Sequence, residues 1–398
     1  LSGERFKLLA TAVDYRPRLG GIATLNYELL SALARIADVR LLAPEAEGSS
    51  AYDDSSDAKV IRVKLPKSQV AAFPLASRLA REVLTWKPDA VFNSLWLPEG
   101  AASLLCSPLL WSTGTPYYVS AYGVELLETD RSLKKKIRSR LSPAKAAVFA
   151  AAKGVLSISH FTSELLERHC GVEREKLILA IPGVDTSHFK PGAPSRDLVD
   201  KYDLDGKKVF LSVTRLDDYK GVDHAITAFK TVVAKHPEAV YLVCGGGADR
   251  ARLEELVSRR DLKRNVIFTG EVEPERLRDY YNLCDAFVLL SREDYETPNV
   301  EGFGLVFLEA SACGKPSIAG RSGGIPDAVE DGVSGWLVDP VDDTAIAAAM
   351  LRVLDDPKGA KQMGESANAR AQKMSWDRMA ETVLEQMQRR GGPRDVRN

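Results

Sequence analysis

Apolar positions along the chain alternate between short runs with a two-residue beat and longer stretches with a helical beat. Residues 7–13, 39–43, 60–65, 90–95, 117–121, 155–159 and 177–181 read as strands. Between them, 21–35 sets Ile22, Leu25, Leu29, Leu30 and Leu33 on one helical face, and 69–86, 132–152 and 161–169 read as further helices. The polar stretch 48–57 (GSSAYDDSSD) reads as a mobile loop. Strand–helix alternation of this kind predicts an α/β fold, a mostly parallel sheet covered on both faces.

The pattern breaks at 190–208 (KPGAPSRDLVDKYDLDGKK), which carries two Pro and two Gly and reads as a linker. It resumes with strands at 209–214, 241–244, 266–269, 286–290, 316–319 and 336–338, and a helix at 376–389 closes the chain. The prediction is two doubly wound, Rossmann-like domains, 1–190 and 191–375, with a C-terminal helix at about 376–398 packing back on the first. Open sheets of this class bind ligands beyond the carboxyl ends of their strands. Two of them imply a cleft where those ends face each other.

Composition narrows the function. A length of 398 residues suits two or three domains. An apolar share of 45% and a net charge of −1 exclude disorder as the main state. The balance of 54 basic against 55 acidic residues speaks against a dedicated nucleic-acid binder. No apolar run approaches the ~20 residues of a membrane-spanning helix. The N-terminus shows no basic segment followed by an apolar one, so no secretory signal is expected. Five cysteines are widely spaced and never form C-x-x-C, so neither a disulfide framework nor a zinc site is expected. A reducing cytoplasmic setting fits that usage. The five histidines show no metal-binding spacing.

Candidate chemistry lies just after the predicted strands. Gly20 and Gly21 open the first long helix, where glycines allow close backbone approach and helix N–H groups favour an anion. Two glycines at a helix start serve plain structure as readily. Arg215 and Lys220 leave the first strand of the second half five residues apart. Two such cations suit a diphosphate, or else a solvated loop paired with Asp217 and Asp218. Gly245, Gly246 and Gly247 follow a strand, without the Lys-Ser/Thr of a Walker-type loop, and read as a backbone cradle or a plain turn. The strongest signal is Glu301-Gly-Phe-Gly-Leu-Val-Phe-Leu-Glu309. A helix starting near Gly304 would aim the N–H groups of Gly302, Phe303, Gly304 and Leu305 at an anion, with a carboxylate on either side. That combination suits a nucleotide sugar, which offers hydroxyl donors and a diphosphate.

Glu301 to Glu309 resembles the E-x7-E motif of family 4 retaining glycosyltransferases, which have the GT-B fold, two Rossmann-like domains facing across a cleft. The resemblance runs over essentially the whole chain. Gly20-Gly21 resembles the family's glycine loop, and Ile181-Pro-Gly-Val-Asp185 with Phe189 and Pro191 its interdomain segment. Arg215 and Lys220 match its R-x4-K pair, Gly270-Glu-Val272 its G-x-V turn, and Ser322-Gly-Gly324 and 332–340 its later glycine segments. The stretch NVEGFGLVFLEASACGKPSIAG is similar to bacterial mannosyltransferases of the phosphatidylinositol mannoside pathway. The resemblance implies that Arg215 and Lys220 neutralise the departing diphosphate. Val272 would meet the base, Glu309 the ribose, and Glu301 with the amides of Phe303, Gly304 and Leu305 the donor sugar. Gly21, with Gly20 and Gly246, would lie near the phosphates.

One position departs from the family. A His commonly follows the strand that here ends VSAYGVE, and this chain has Tyr122. A tyrosine is a poor general base at pH 7. In the same-face mechanism of retaining members the leaving phosphate takes the acceptor's proton, so Tyr122 is carried as a catalytic candidate that hydrogen-bonds sugar or phosphate, or as a packed strand-end tyrosine. His160, at a helix start, is a substitute or a cap. Asp203-Leu-Asp205 spells the D-x-D of metal-dependent transferases but lies in the linker, and the GT-B fold needs no metal. Residues 131–153 hold eight cations (Arg131, Lys134, Lys135, Lys136, Arg138, Arg140, Lys145 and Lys153) and no carboxylate. They read as a solvated helix face or as a peripheral contact with an anionic membrane, and Pro143 would interrupt the helix.

The expectation is a cofactor-free, metal-independent hexosyltransferase. It would take a nucleotide diphosphate sugar, with GDP-mannose preferred and UDP-sugars open, and a hydroxyl acceptor that is lipid-linked, a polysaccharide or a small metabolite. A nucleotide-sugar-binding protein without turnover is the rival that Tyr122 motivates. A phosphorylase of the same architecture would need a pyridoxal phosphate lysine and a longer chain.

Overall fold

A computed structural model describes residues 5–54, 56–66, 69–127, 142–293 and 299–391. The chain divides into two compact units, Leu1–Pro182 with Trp376–Asn398, and Gly183–Ser375.

The first unit is built on β1 (Lys7–Thr11), β2 (Asp38–Pro44), β3 (Lys59–Val63), β4 (Ala90–Asn93), β5 (Tyr117–Ala121), β6 (Gly154–Ser157) and β7 (Leu177–Leu179). They form one parallel sheet in the order β3-β2-β1-β4-β5-β6-β7. The central strands β4, β5 and β6 are buried along their whole length, which is why they are mostly apolar on both faces. Leu9, Val91, Val119 and Val155 pack there against Leu75, Leu79, Phe149 and Leu166 of the covering helices. The second unit repeats the plan with β8 (Lys208–Val213), β9 (Ala239–Cys244), β10 (Val266–Gly270), β11 (Ala286–Leu289), β12 (Ser317–Gly320) and β13 (Gly335–Val338), in the order β10-β9-β8-β11-β12-β13. Its core joins Phe210, Tyr241, Val288 and Ile318 to Ile226, Phe229, Met350 and Val353. In both sheets the winding reverses beside the first strand, at β1/β4 and at β8/β11. Those are the switch points where ligands of such folds collect.

Several expectations need correcting. The stretch 190–208, read as a linker, contains the Arg196–Tyr202 helix. Leu198 and Leu204 are buried beneath its polar residues. Its start is fixed to the second unit, where Gly192 N–H donates to Asn282 Oδ1 at 2.8 Å and Asn282 Nδ2 donates to the Lys190 carbonyl at 3.1 Å. Upstream, Val184 N–H donates to the Met374 carbonyl at 2.9 Å. The second unit accordingly begins at Gly183, ahead of the boundary expected at 190/191. The D-x-D pair serves this linker: Asp203 ends the helix in a left-handed conformation, and Asp205 takes a bidentate ion pair from Arg196 at 2.8 and 2.9 Å. The polar loop 48–57 holds the short Ser50–Asp54 helix. Asp53 there binds Arg62 at 2.6 Å, and Tyr52 stacks edge-on against Tyr27.

Of the helix expected over 132–152, the described part is Ser142–Ala151, with Pro143 tolerated in its first turn. Residues 128–141, with six of the eight cations, lie outside the described residues. Lys145 is buried, its ammonium 3.5 Å from the Glu125 carbonyl, so it belongs to no solvent-facing or membrane-facing cationic stripe. The Trp376–Gly391 helix belongs to the first unit. Arg35 pairs with Asp377, Tyr118 donates to the Met387 carbonyl at 3.1 Å, and Arg390 donates to the Leu177 carbonyl at 3.0 Å. Among the described residues, no helix is long and apolar enough to cross a membrane.

Candidate functional site

In the second unit, candidate residues gather beyond the carboxyl ends of β8 to β12. After β8 the chain makes a single tight turn, Asp218–Lys220, before the Val222–Lys235 helix. Gly221 closes that turn at φ 70°, and a Cβ there would fall 2.1 Å from the Leu290 carbonyl oxygen, so only glycine fits. Arg292, just past β11, fixes the turn. Its N–H donates to the Tyr219 carbonyl at 2.8 Å, and its guanidinium binds Asp218 at 2.8 Å and Asp223 at 3.1 Å. Arg252 binds the same two carboxylates at 2.9 and 3.1 Å. Burial alone would raise the Asp223 carboxyl, but the two guanidiniums hold it below its usual range.

That scaffold presents Lys220. Its ammonium lies 2.6 Å from Glu301 Oε2, with the two side chains only 11% and 17% exposed. Ser291 donates to the same oxygen at 3.3 Å. Burial would push the ammonium toward neutrality, and the Glu301 carboxylate overrides it, holding Lys220 charged above its ordinary value. Arg215, expected to act with Lys220, has a different setting. Its side chain is 73% exposed and pairs with Asp217 at 3.0 Å.

Glu301 is held by its own backbone, since its carbonyl accepts the Gly324 N–H at 2.8 Å. A Cβ on Gly323 would lie 2.4 Å from that carbonyl. The Leu305–Ala312 helix begins after Gly304, at φ 92°, where a Cβ would strike the Phe307 ring at 2.6 Å. The helix's first N–H groups have no partner within it and carry its positive pole. Gly302 and Leu305 are half-buried and Phe303 is buried beside that terminus. Glu309, one turn in, accepts the Tyr281 hydroxyl at 2.7 Å. Burial, then the nearby Glu309, raises the Tyr281 phenol well above its ordinary value, so Tyr281 is a fixed donor.

The glycines after β9 are demanded by the backbone around them. A Cβ on Gly245 would sit 1.9 Å from the Thr214 carbonyl oxygen, and one on Gly247 would sit 2.4 Å from that of Leu216. The Gly246 carbonyl accepts the Leu216 N–H at 2.9 Å. Val272 follows β10, half-buried.

The first unit presents its candidates in neutral hydrogen bonds rather than ion pairs. Gly20 (φ 135°) and Gly21 are exposed at the start of the Gly21–Ile36 helix, with open space where a side chain would be. Tyr122 is buried after β5, and its hydroxyl donates to Asn26 Oδ1 at 2.6 Å. Asn26 in turn donates to the Asp14 carbonyl at 2.8 Å. Burial raises the Tyr122 phenol far above 10, so it takes no proton near neutral pH. His160 is exposed, the first residue of its helix, and Ser159 Oγ supplies that helix's cap.

Several neighbours escaped the sequence reading. Ser291, Arg292 and Tyr281 look like ordinary loop and helix residues until the fold delivers them to Glu301, Asp223 and Glu309. Asn26 did carry a signal, as a polar residue within the apolar stripe of its helix. Glu99 carried one too, as a carboxylate closely following a buried strand.

The chain is similar to known proteins over most of its length. Residues 19–188 match the family model described as Glycosyltransferase Family 4, and residues 196–370 the model described as Glycosyl transferases group 1. The chain is 30% identical over 365 residues to a GDP-mannose-dependent alpha-(1-6)-phosphatidylinositol monomannoside mannosyltransferase of Mycolicibacterium smegmatis, covering 90% of this chain and 91% of that one. It is 27% identical to a GDP-mannose-dependent monoacylated alpha-(1-6)-phosphatidylinositol monomannoside mannosyltransferase of Corynebacterium glutamicum, over 96% and 98% of the two chains. Among solved structures, a Rickettsia africae glycosyltransferase superposes with a TM-score of 0.78 at 18% identity, covering 98% of this chain and 99% of that one.

Proposed function

Because the chain belongs to glycosyltransferase family 4, we propose that it transfers mannose from GDP-mannose, with retention, to a hydroxyl of a lipid-linked inositol glycoside. The observation that carries this reading is the likeness to GDP-mannose-dependent mannosyltransferases over nine-tenths of both chains.

The residues suit the chemistry. Lys220, kept charged by Glu301, is placed to neutralise the diphosphate as it leaves, and Arg215 adds a second, solvent-side cation. The N–H groups of Phe303, Gly304 and Leu305 stabilise the same developing charge, which is electrostatic catalysis. Glu301 accepts hydroxyls of the mannose, and Glu309, oriented by Tyr281, accepts those of the ribose. Val272 and Gly246 border the nucleotide. Gly20 and Gly21 let the phosphates approach backbone N–H groups. In the transfer the bond from the sugar's anomeric carbon to phosphate oxygen breaks and the bond to the acceptor oxygen forms on the same face. The acceptor's proton passes to the leaving phosphate oxygen. No side chain is needed as base, which fits a Tyr122 locked onto Asn26. Tyr122 then acts as a positioning residue.

A lipid-linked acceptor brings the enzyme to a membrane surface, and the cations of 131–140 are our candidates for peripheral contact with anionic lipid. Co-sedimentation with anionic liposomes that weakens as salt rises is the expected result; binding indifferent to salt or to lipid charge removes that contact. For the reaction, the purified chain is to be incubated with GDP-mannose, UDP-glucose or UDP-N-acetylglucosamine and a lipid extract. Sugar transfer from GDP-mannose is expected. Transfer from a UDP-sugar alone overturns the donor assignment, and donor binding with no transfer or hydrolysis over hours overturns the enzyme reading.

A further inference from the structure

Glu99 is fully buried, just beyond β4, at the point where β4 and β1 lie side by side. Its Oε1 accepts the Val13 N–H at 2.8 Å and the Ser94 hydroxyl at 3.0 Å. Its Oε2 is buried and has no partner among the described residues. Around it, every polar group described above is committed. Thr11 and Ser103 donate to Asn93 Oδ1 at 2.9 Å, and Asn93 donates to the Tyr118 carbonyl at 3.1 Å. Ser94 N–H donates to the Thr11 carbonyl at 2.9 Å. A side chain needed only to tie β4 to the loop after β1 would carry no spare, unpaired oxygen, since such a group costs stability.

Among the described residues, the charged and titratable groups facing Glu99 give it no cation. Asp14, on the loop after β1, opposes its ionisation, and Arg18 is spent on Asp14 at 3.9 Å. Tyr122, after β5, is a buried phenol, and Glu125 beyond it is a further carboxyl, near Lys145. Burial raises the Glu99 acid to about 7, against the bonds from Val13 and Ser94 that favour the anion. With Oε1 already accepting twice, the proton belongs on Oε2.

The loop that Glu99 holds runs from Val13 to the open glycines at 20 and 21. We propose that Glu99 is a positioning residue of the transfer reaction: it holds the start of this loop through Val13, and it must carry its proton for the loop to accept an anionic donor, because its ionised form sets an uncompensated charge there and weakens donor binding. The inference rests on the donor-binding role given to Gly20 and Gly21 above. An uncompensated negative charge bonded to the start of an anion-receiving loop acts on binding more than on the chemical step, so KM rises with pH while kcat changes less. Linkage gives a second consequence. Between 4.5 and about 7 the folded chain keeps a proton that the unfolded chain releases. The stabilisation associated with neutral Glu99 is complete at the acid end of that window and is lost as pH rises through it.

The test is titration calorimetry with GDP-mannose, whose diphosphate does not itself titrate near neutrality, from about pH 6 to about pH 8.5. The dissociation constant of the native chain should rise roughly tenfold through a midpoint near that of Glu99. Glu99→Gln keeps the acceptor oxygen and cannot ionise. It should bind at every pH with the affinity the native chain shows in acid, and its melting temperature should lack the decline toward neutral pH. Ser94→Ala removes a bond that favours the anion, so it should move the binding midpoint to higher pH, and it carries the test if Glu99→Gln does not fold. Donor affinity that is flat with pH in the native chain, or a midpoint unmoved in both variants, overturns the inference and leaves the proposed function standing. Failure to bind GDP-mannose at any pH overturns both.

Discussion

The carboxyl edges of the two sheets share a winding order but differ in electrostatics. Beyond β8 and β11 the second unit concentrates charge in pairs: Lys220 with Glu301, and Arg252 and Arg292 with Asp218 and Asp223. Beyond β1, β4 and β5 the first unit has two sets of neutral hydrogen bonds, one joining Tyr122 to Asn26 and the other centred on Asn93, with the carboxyls of Glu99 and Glu125 kept toward their neutral forms by burial. One topology thus supports two kinds of surface. The first suits a charge that must be stabilised as it develops. The second, outside the glycine loop proposed to meet the phosphates, suits hydroxyl-rich groups held in fixed register. In such folds function resides in the residues placed on the strand ends and not in the winding itself.

The sharpest way to break this contrast is to remove the central cation. Lys220→Ala should lower kcat by about 10²- to 10³-fold, the scale of losing one charge-stabilising group. Single-turnover kinetics reads this directly, and a near-native rate would remove Lys220 from diphosphate stabilisation. Glu309→Gln comes next. It keeps the Tyr281 contact and loses the charge, so the donor KM should rise about tenfold, as expected for a hydrogen bond to a charged group. An equal fall in kcat with unchanged KM would place Glu309 at the transferring sugar instead of the ribose.

Smaller effects distinguish the two edges further. Tyr122→Phe deletes one buried hydrogen bond, to Asn26, and should cost about 1 kcal/mol of stability by chemical denaturation, with turnover reduced only a few-fold. A loss of turnover as large as that of Lys220→Ala would restore Tyr122 to the reacting centre. Arg215→Ala breaks an exposed pair with Asp217, so folding stability should move by less than about 0.5 kcal/mol. Any change it makes should appear in donor affinity, and a large drop in melting temperature would show that the loop depends on it for structure.

Much of this was legible in the sequence because its periodicity is direct. Strands such as β9 and β11 are unbroken apolar runs, and glycines at 221, 304 and 323 mark turns where no other residue fits. Lys220 and Glu301 stand out as candidates because they border Gly221 and Gly302, and Glu309 because of its spacing from Glu301. The misreadings have a common cause, which is that local polarity says little about tertiary partners. Residues 190–208 look like a linker because Leu198 and Leu204 are outnumbered by charges, yet those two leucines anchor the segment. Lys145 counts as one of eight cations in a row, and only the fold turns it inward toward Glu125. Arg215 and Lys220 look equivalent at their spacing. The closed turn at Gly221 buries one and leaves the other in solvent. Glu99 is visible in the sequence as a carboxylate after a buried strand, but its link to the loop after β1 appears only when β1 and β4 are known to be neighbours.

The central claim is retaining mannosyl transfer from GDP-mannose. The most direct measurement is nuclear magnetic resonance of the product formed from GDP-mannose and a phosphatidylinositol mannoside acceptor, read at the new anomeric carbon. The account predicts one added mannose in α linkage, matching the α linkage of the donor. A β-linked product, or an acceptor left unmodified while the chain turns over a different nucleotide sugar, would contradict it.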